Sequence, residues 1–147
     1  SYVPYVVETS IGLDRMFLTV LSHPFQEEQL ENGESRVVLK IPAILSPIKA
    51  AILPLTKKDG MPEKAREIMK MLQIDFNCQY EEKDSIGKRY RRQDAIGTSF
   101  CITVDHKTLE DNTVTLRDRD TMEQERVSIE KLHSIIAEKV NISKYLI

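Results

Sequence analysis

The alternation of apolar and polar positions changes period several times along the chain, and each change predicts an element. Val6 and Val7 end an apolar stretch that reads as the close of a buried strand. Leu13, Met16, Phe17, Val20 and Leu21 then recur at helical spacing. His23-Pro24 stops or kinks that helix, because proline disfavours helical backbone in the residue before it. Residues 26–35 (QEEQLENGES) are polar and hold the turn pair Asn32-Gly33, which predicts a linker and a domain boundary. RVVLKI (36–41) predicts a short strand and IKAAILPL (48–55) a more buried one. Asp59-Gly60 breaks the chain, Pro62 suits a helix's first turn, and Ala65, Ile68, Met69 and Leu72 form an amphipathic face. FNCQY (76–80) and SFCITV (99–104) predict strands on either side of a short helix, SIGKRYRRQDAIG (85–97), closed by Gly97. In TVTLR (113–117) Val114 and Leu116 share one side; Asp118 to Thr121 turn, and QERVSI (124–129) returns. Ser128 is placed to cap a last helix carrying Ile129, Leu132, Ile136 and Val140 on one stripe.

The order β-α-β-α-β-β-β-α predicts an α/β fold: a small mixed, mainly parallel sheet with flanking helices. The expected organisation is an opening strand and helix over 1–25, a linker at 26–35 and a domain over 36–147. A chain that opens on Ser1 and runs almost directly into a core-like strand reads as an excised fragment.

Composition narrows the function classes. The 147 residues are 41% hydrophobic and 30% charged, enough for one proper core, and the net charge of -2 excludes a general polyanion binder. A nucleic-acid surface therefore has to be a local patch. Cys78 and Cys101 stand alone in strand-like runs, which predicts buried thiols in a reducing cytosol rather than a disulfide or metal site. His23, His106 and His133 form no triad or ligand pattern, so no metal site is expected. With no apolar run long enough to span a membrane and no signal peptide, a cytoplasmic protein is expected.

Three constellations carry candidate chemistry. Glu8 and Ser10 share one face of an extended chain, Gly12 allows close approach, and Arg15 follows one turn into the helix. They suit an ammonium and a phosphate bound side by side, or equally a helix start with a surface arginine. In KRYRRQD (88–94), Lys88, Arg89, Arg91 and Arg92 surround Tyr90, which reads either as a solvated face or as an RNA contact where cations meet phosphates and the ring meets a base. LRDRD (116–120) is either a self-neutralising turn or a reading head. In the second case Asp118 or Asp120 accepts from a cytosine amino group, with Arg117 and Arg119 on phosphates or guanine edges. Lys57, Lys58 and Asp59 form a smaller charged loop.

PYVVETSIGLDR resembles motif 3 of the class II aminoacyl-tRNA synthetases, in the glycyl form, with Thr9 where proline is usual. LPLTKKDGMPEKARE, SIGKRYRRQDAIGTSFCITVD and TVTLRDRDTMEQERV are similar to the anticodon-binding domain of the same family. The resemblance implies that 1–25 is the end of a catalytic domain and 36–147 an anticodon-binding domain. It implies that Glu8, Thr9, Ser10, Ile11 and Gly12 wall a glycine site, with Glu8 on the ammonium. Gly12, Leu13, Asp14 and Arg15 would belong to the ATP site, with Arg15 catalytic. It further implies a homodimeric parent that uses glycine, ATP and Mg2+ and acts on tRNA(Gly). Motifs 1 and 2 are missing, so the chain alone is expected to be inactive and to bind no cofactor. Candidate tRNA contacts are Lys57, Lys58, Lys88, Arg89, Arg91, Arg92, Arg117, Asp118, Arg119 and Asp120. Two readings stay open beside this one: a non-catalytic, synthetase-like accessory nucleic-acid-binding module, and a plain protein-interaction domain.

Overall fold

The fold is that of a computed structural model, described for residues 1–30 and 33–146, with Lys144 and Tyr145 described by backbone alone. Residues 1–12 carry no regular secondary structure and are exposed throughout, so the strand expected to end at Val7 is absent. An extended segment becomes a strand only when a neighbour pairs its N–H and C=O groups, and among the described residues no strand pairs with this one. Helix α1 (Leu13–Ser22) forms as expected but buries none of its residues; Leu13, Phe17 and Leu18 are among its exposed apolar side chains.

The polar stretch expected to be a linker contains structure. Strand β1 (Phe25–Gln29) pairs antiparallel with β2 (Ser35–Leu39) in a two-stranded sheet of their own, with Glu28 opposite Arg36. Hydropathy fails there because β1 packs almost nothing inward: the backbone ladder and ion pairs from Glu28 to Arg36 (2.7 Å) and Lys40 (2.5 Å) hold it instead. Gly33 takes a left-handed φ of +81° in the turn, and Asn32 lies outside the described residues.

Strand β3 (Ala50–Pro54) is buried at every position because it is flanked on both edges and covered on both faces. Helix α2 (Met61–Leu72) leads from it to β4 (Cys78–Tyr80), and α3 (Ile86–Ile96) leads on to β5 (Phe100–Val104). Both strands pair parallel with β3. Helix α4 (His106–Asp111) follows, and β6 (Thr113–Asp118) and β7 (Gln124–Ser128) extend the sheet antiparallel in the order β4-β3-β5-β6-β7. The sheet is mixed as expected, but evenly rather than mainly parallel, with two parallel and two antiparallel pairings. Ser128 makes no capping bond; a 3-10 turn over Ile129–Lys131 precedes α5 (Leu132–Lys139).

Alternate residues of β3 point to opposite faces and so sort the helices. Ala50 and Ile52 join Ile68 and Leu72 of α2 and Leu132 and Ile136 of α5 in the larger core. Ala51 and Leu53 join Cys101 on the other face, against Ile86 and Tyr90 of α3. Cys78 and Cys101 are free and buried, and burial pushes their thiols up to about 11 and about 12. Neither is ionised near neutral pH, which makes them inert packing groups.

The sequence reading leaves 105–112 without an element, yet Asp105 and Thr108 form a reciprocal capping box that starts α4. Arg126 also grips Asp105 (2.5 and 3.0 Å) and, with its hydrogen bonds to Thr108, holds the carboxyl below its ordinary value. The stability this carboxylate contributes is therefore complete above the ordinary aspartate range and falls away as pH drops through its lowered value. Asp105→Ala is expected to cost about 1–2 kcal/mol, read by urea denaturation at neutral pH. The deficit against wild type should shrink at acid pH, and a deficit that does not change with pH would argue against the lowered carboxyl.

Candidate nucleic-acid interface

A groove of about 1210 Å³ opens between the β1–β2 hairpin, the first turns of α3 and the end of β6. The hairpin contributes Glu28, Gln29, Leu30 and Glu34; α3 contributes Gly87, Lys88, Tyr90 and Arg91; Arg117, Met122 and Gln124 close the third side. Small-molecule sites enclose about 300–1,000 Å³, so an open space of this size suits a stretch of polymer better than one compact ligand.

Helical spacing divides the basic run 88–92 into two faces. Lys88 and Arg91, three residues apart, line the groove. Arg91 sits 3.4 Å from Glu34 across it. Arg89 and Arg92 point elsewhere. Arg89 is buried and donates to the carbonyls of Pro54 (2.7 Å) and Glu81 (3.2 Å), tying the ends of β3 and β4 to α3. Its guanidinium is pulled down by burial. Arg92 pairs with Glu81 (2.6 Å) and Asp84 (2.9 Å). Of the four cations expected to face RNA, Arg89 is thus an interior group, while Arg92 is exposed but engaged by two carboxylates. Tyr90 is half-buried, with its hydroxyl 2.7 Å from Thr103 Oγ1 and the Arg117 guanidinium 4.9 Å from its ring centroid.

The LRDRD stretch proves structural. Alternation along β6 sends Leu116 into the larger core and Arg117 to the opposite face, where it meets Asp94 of α3. Asp94 is wholly buried and takes two bonds from Arg117 (2.7 and 3.0 Å) and one from Arg36 of the hairpin (3.1 Å). Burial alone lowers the Arg117 guanidinium, and the Asp94 carboxylate outweighs it and raises it above its ordinary value. Arg36 donates as well to Glu28 (2.7 Å) and to the carbonyl of Arg119 (3.2 Å). Arg119 is itself buried and donates to the carbonyls of Gly97 and Ile41, both at 2.8 Å, and to Asp120.

The two aspartates proposed as base readers are thus largely occupied. Asp118 accepts from the backbone N–H groups of Asp120 (2.7 Å) and Thr121 (3.3 Å) and from Lys139 (3.0 Å). Burial pushes its carboxyl up, and these donors more than offset that, holding it below its ordinary value. Asp120 keeps one oxygen on Arg119. Lys57 and Lys58 are exposed on the loop after β3, outside the groove lining.

Glu8, Ser10 and Arg15 are exposed and make no side-chain hydrogen bond or ion pair among the described residues. Thr9, Ile11, Gly12, Leu13 and Asp14 are likewise exposed. No group of three His, Cys, Asp or Glu that could hold a metal ion occurs among the described residues. His133 bonds Asp75 (2.9 Å) and packs at a tilt of 48° against Phe76.

Residues 49–139 match the family model described as an anticodon binding domain. The chain belongs to the anticodon-binding domain family. This anticodon-binding domain is 53% identical over 140 residues to the glycine–tRNA ligase of Clostridium tetani, covering 95% of this chain and 30% of that protein. It is 53% identical over 139 residues to that of Chlorobaculum tepidum, covering 95% of this chain and 29% of that protein, and 49% identical over 139 residues to that of Borrelia hermsii, covering 95% and 31%. The chain therefore spans about 30% of the length of these relatives. Its fold is similar to the crystal structure of the RNA-binding domain of threonyl-tRNA synthetase from Cryptosporidium parvum Iowa II. The TM-score is 0.62 at 24% identity, over 68% of this chain and 25% of that one. The family match begins just ahead of β3, so the hairpin that walls the groove lies outside it. The sequence marked β2 but not the largely exposed β1, and a lone arginine in a strand gives no sign that Arg36 is buried. The division of 88–92 into two faces, by contrast, could have been read from the spacing.

Proposed function

We infer that this chain is the anticodon-reading part of a glycine–tRNA ligase. Its parent joins glycine to ATP as glycyl-adenylate and transfers the glycyl group to tRNA(Gly). The observation that carries the reading is identity of about half over 95% of the chain to glycine–tRNA ligases. In the parent, Glu8 holds the glycine ammonium, Ser10 lines the same pocket and Arg15 offsets charge developing at the α-phosphate. ATP is a substrate of that reaction, and Mg2+ would accompany its phosphates. Of the groups it needs, this chain brings a single wall, exposed to solvent, so the chain alone is expected to bind tRNA without activating glycine.

The groove beside α3 is the RNA surface. Lys88 and Arg91 take backbone phosphates, which fix register, while Tyr90 offers a ring edge beside them. The test is a titration of tRNA(Gly) at several salt concentrations. Lys88→Ala and Arg91→Ala should each weaken binding to every tRNA and flatten the log–log salt slope by about one unit. Arg92→Ala should change neither by much, because its partners are Glu81 and Asp84. Equal effects from all three would point to a diffuse charged surface. No tRNA binding by the wild-type chain would favour a protein-interaction domain.

A further inference from the structure

We propose that Met122 and Gln124, where the β6–β7 turn meets the groove, hold one unpaired anticodon base: Met122 packs on its face and Gln124 hydrogen-bonds its Watson–Crick edge. This assignment rests on the RNA-binding reading above and adds to it the side chains that grip a base. α3 presents cations to the groove at Lys88 and Arg91, whereas the β6–β7 side presents Arg117, Met122 and Gln124. Arg117 is buried and committed to Asp94. What that side offers a ligand is therefore a thioether and a neutral amide. A phosphate gains little from either. A base has a flat, polarisable face that suits the thioether, and an edge of donors and acceptors that an amide matches in both senses.

Alternation sorts the side chains here. Glu123 and Glu125 go to the other face of the sheet, beside Phe100 and Leu116, and Met122 and Gln124 line the groove. Gln124 stands opposite Arg117 in the β6–β7 register and so shares its face. Its amide is exposed and makes no side-chain hydrogen bond among the described residues. The turn that carries the pair is firmly held. Met122 N–H donates to the Asp118 carbonyl (3.0 Å), Asp118 N–H donates to the Glu123 carbonyl (3.1 Å), and Lys139 anchors the Asp118 carboxylate (3.0 Å). Met122 takes a left-handed φ of +61°. The other non-glycine positions with positive φ among the described residues are Asp59, Asp84 and Asn112, types whose short polar side chains tolerate that region. A long apolar side chain does not, and Met122 buries too little in return, being exposed. Strain kept by a well-braced turn at the lip of a binding groove points to a task for the side chain in that groove.

The experiment measures binding of the full 147-residue chain to tRNA(Gly), intact or with one anticodon base removed, and repeats it at two salt concentrations. Wild type should lose roughly 10- to 100-fold when the base at one position is absent. Gln124→Ala should bind the intact RNA roughly 5- to 30-fold more weakly. It should lose much less than wild type when that same base is removed, and as much as wild type at the other positions. Its log–log salt slope should match wild type, because no phosphate contact has gone. Met122→Gly should also weaken binding of the intact RNA, yet leave the thermal midpoint no lower, since glycine adopts the positive φ without a steric cost. A merely structural methionine would lose stability on that change. Equal proportional losses for Gln124→Ala with and without each base would overturn the proposal, and so would a flatter salt slope. A Met122→Gly variant that keeps full affinity, or that loses stability along with it, would overturn the role of Met122. A wild-type chain indifferent to every base removal would overturn the whole proposal while the RNA-binding reading stands. A wild-type chain that binds no tRNA would overturn the RNA-binding reading itself.

Discussion

Replacing Asp94 with alanine is expected to lower the unfolding free energy by about 3–5 kcal/mol. Asp94 is wholly buried and is the shared acceptor of Arg117 and Arg36, both of which are buried too. Removing it leaves the Arg117 guanidinium in low dielectric without its anion and Arg36 with Glu28 alone, and the penalty of an uncompensated buried charge exceeds the value of the bonds themselves. Asp94→Asn keeps an acceptor for one arginine and should lose less. Replacing the carboxylate and both arginines together by apolar side chains should recover much of the loss, because the neutral set carries no desolvation cost. Urea denaturation of the three variants checks this. A loss under about 1 kcal/mol for the alanine variant would mean that the arginines find water or other partners.

Gly97→Ala is the second large effect, at about 2–4 kcal/mol. Gly97 ends α3 with φ at +82°, a left-handed conformation that a side chain disfavours by itself. A Cβ there would also stand 2.9 Å from Ile41 Cγ2 and 3.1 Å from the Leu39 carbonyl oxygen. The second contact is backbone of the hairpin, which cannot yield without shifting the groove wall. Gly60→Ala supplies the control, since Gly60 has φ at +78° but nothing within 4 Å of the added atom. It should cost only the conformational share, about 1–2 kcal/mol. Thermal unfolding of both variants separates the two contributions, and equal losses would show that the hairpin accommodates the methyl group.

The sheet was legible because its signals are local and redundant. β3 and β5 are continuous apolar runs, α2 has one clean apolar face, and Gly97 closes α3 where a left-handed cap is needed. β2 was legible but β1 was not, since β1 is a mostly polar pentamer held by the backbone ladder and by Glu28's ion pairs with Arg36 and Lys40. α4 was missed because six residues are too few for a periodic pattern, although Asp105 and Thr108 marked its start. At the candidate site the charged residues were visible in the sequence, and their division between surface and interior was not. Charge density in 88–92 and 116–120 suggested RNA, yet Arg89, Arg117 and Arg119 are interior groups. Whether an arginine faces water or a buried carboxylate depends on tertiary neighbours, to which composition is blind.

The separation in sequence of the Arg36 contacts sets an order on events during translation. Arg36 meets Asp94 58 residues later and the Arg119 carbonyl 83 residues later. At roughly 5–20 residues per second, synthesis of those 83 residues lasts about 4–17 seconds. Until those partners emerge, the guanidinium has for a carboxylate only Glu28 of its own hairpin. Its final attachment is one of the last acts of the nascent chain, so a ribosome that stalls before β6 releases a product whose early strands lack the Arg119 anchor.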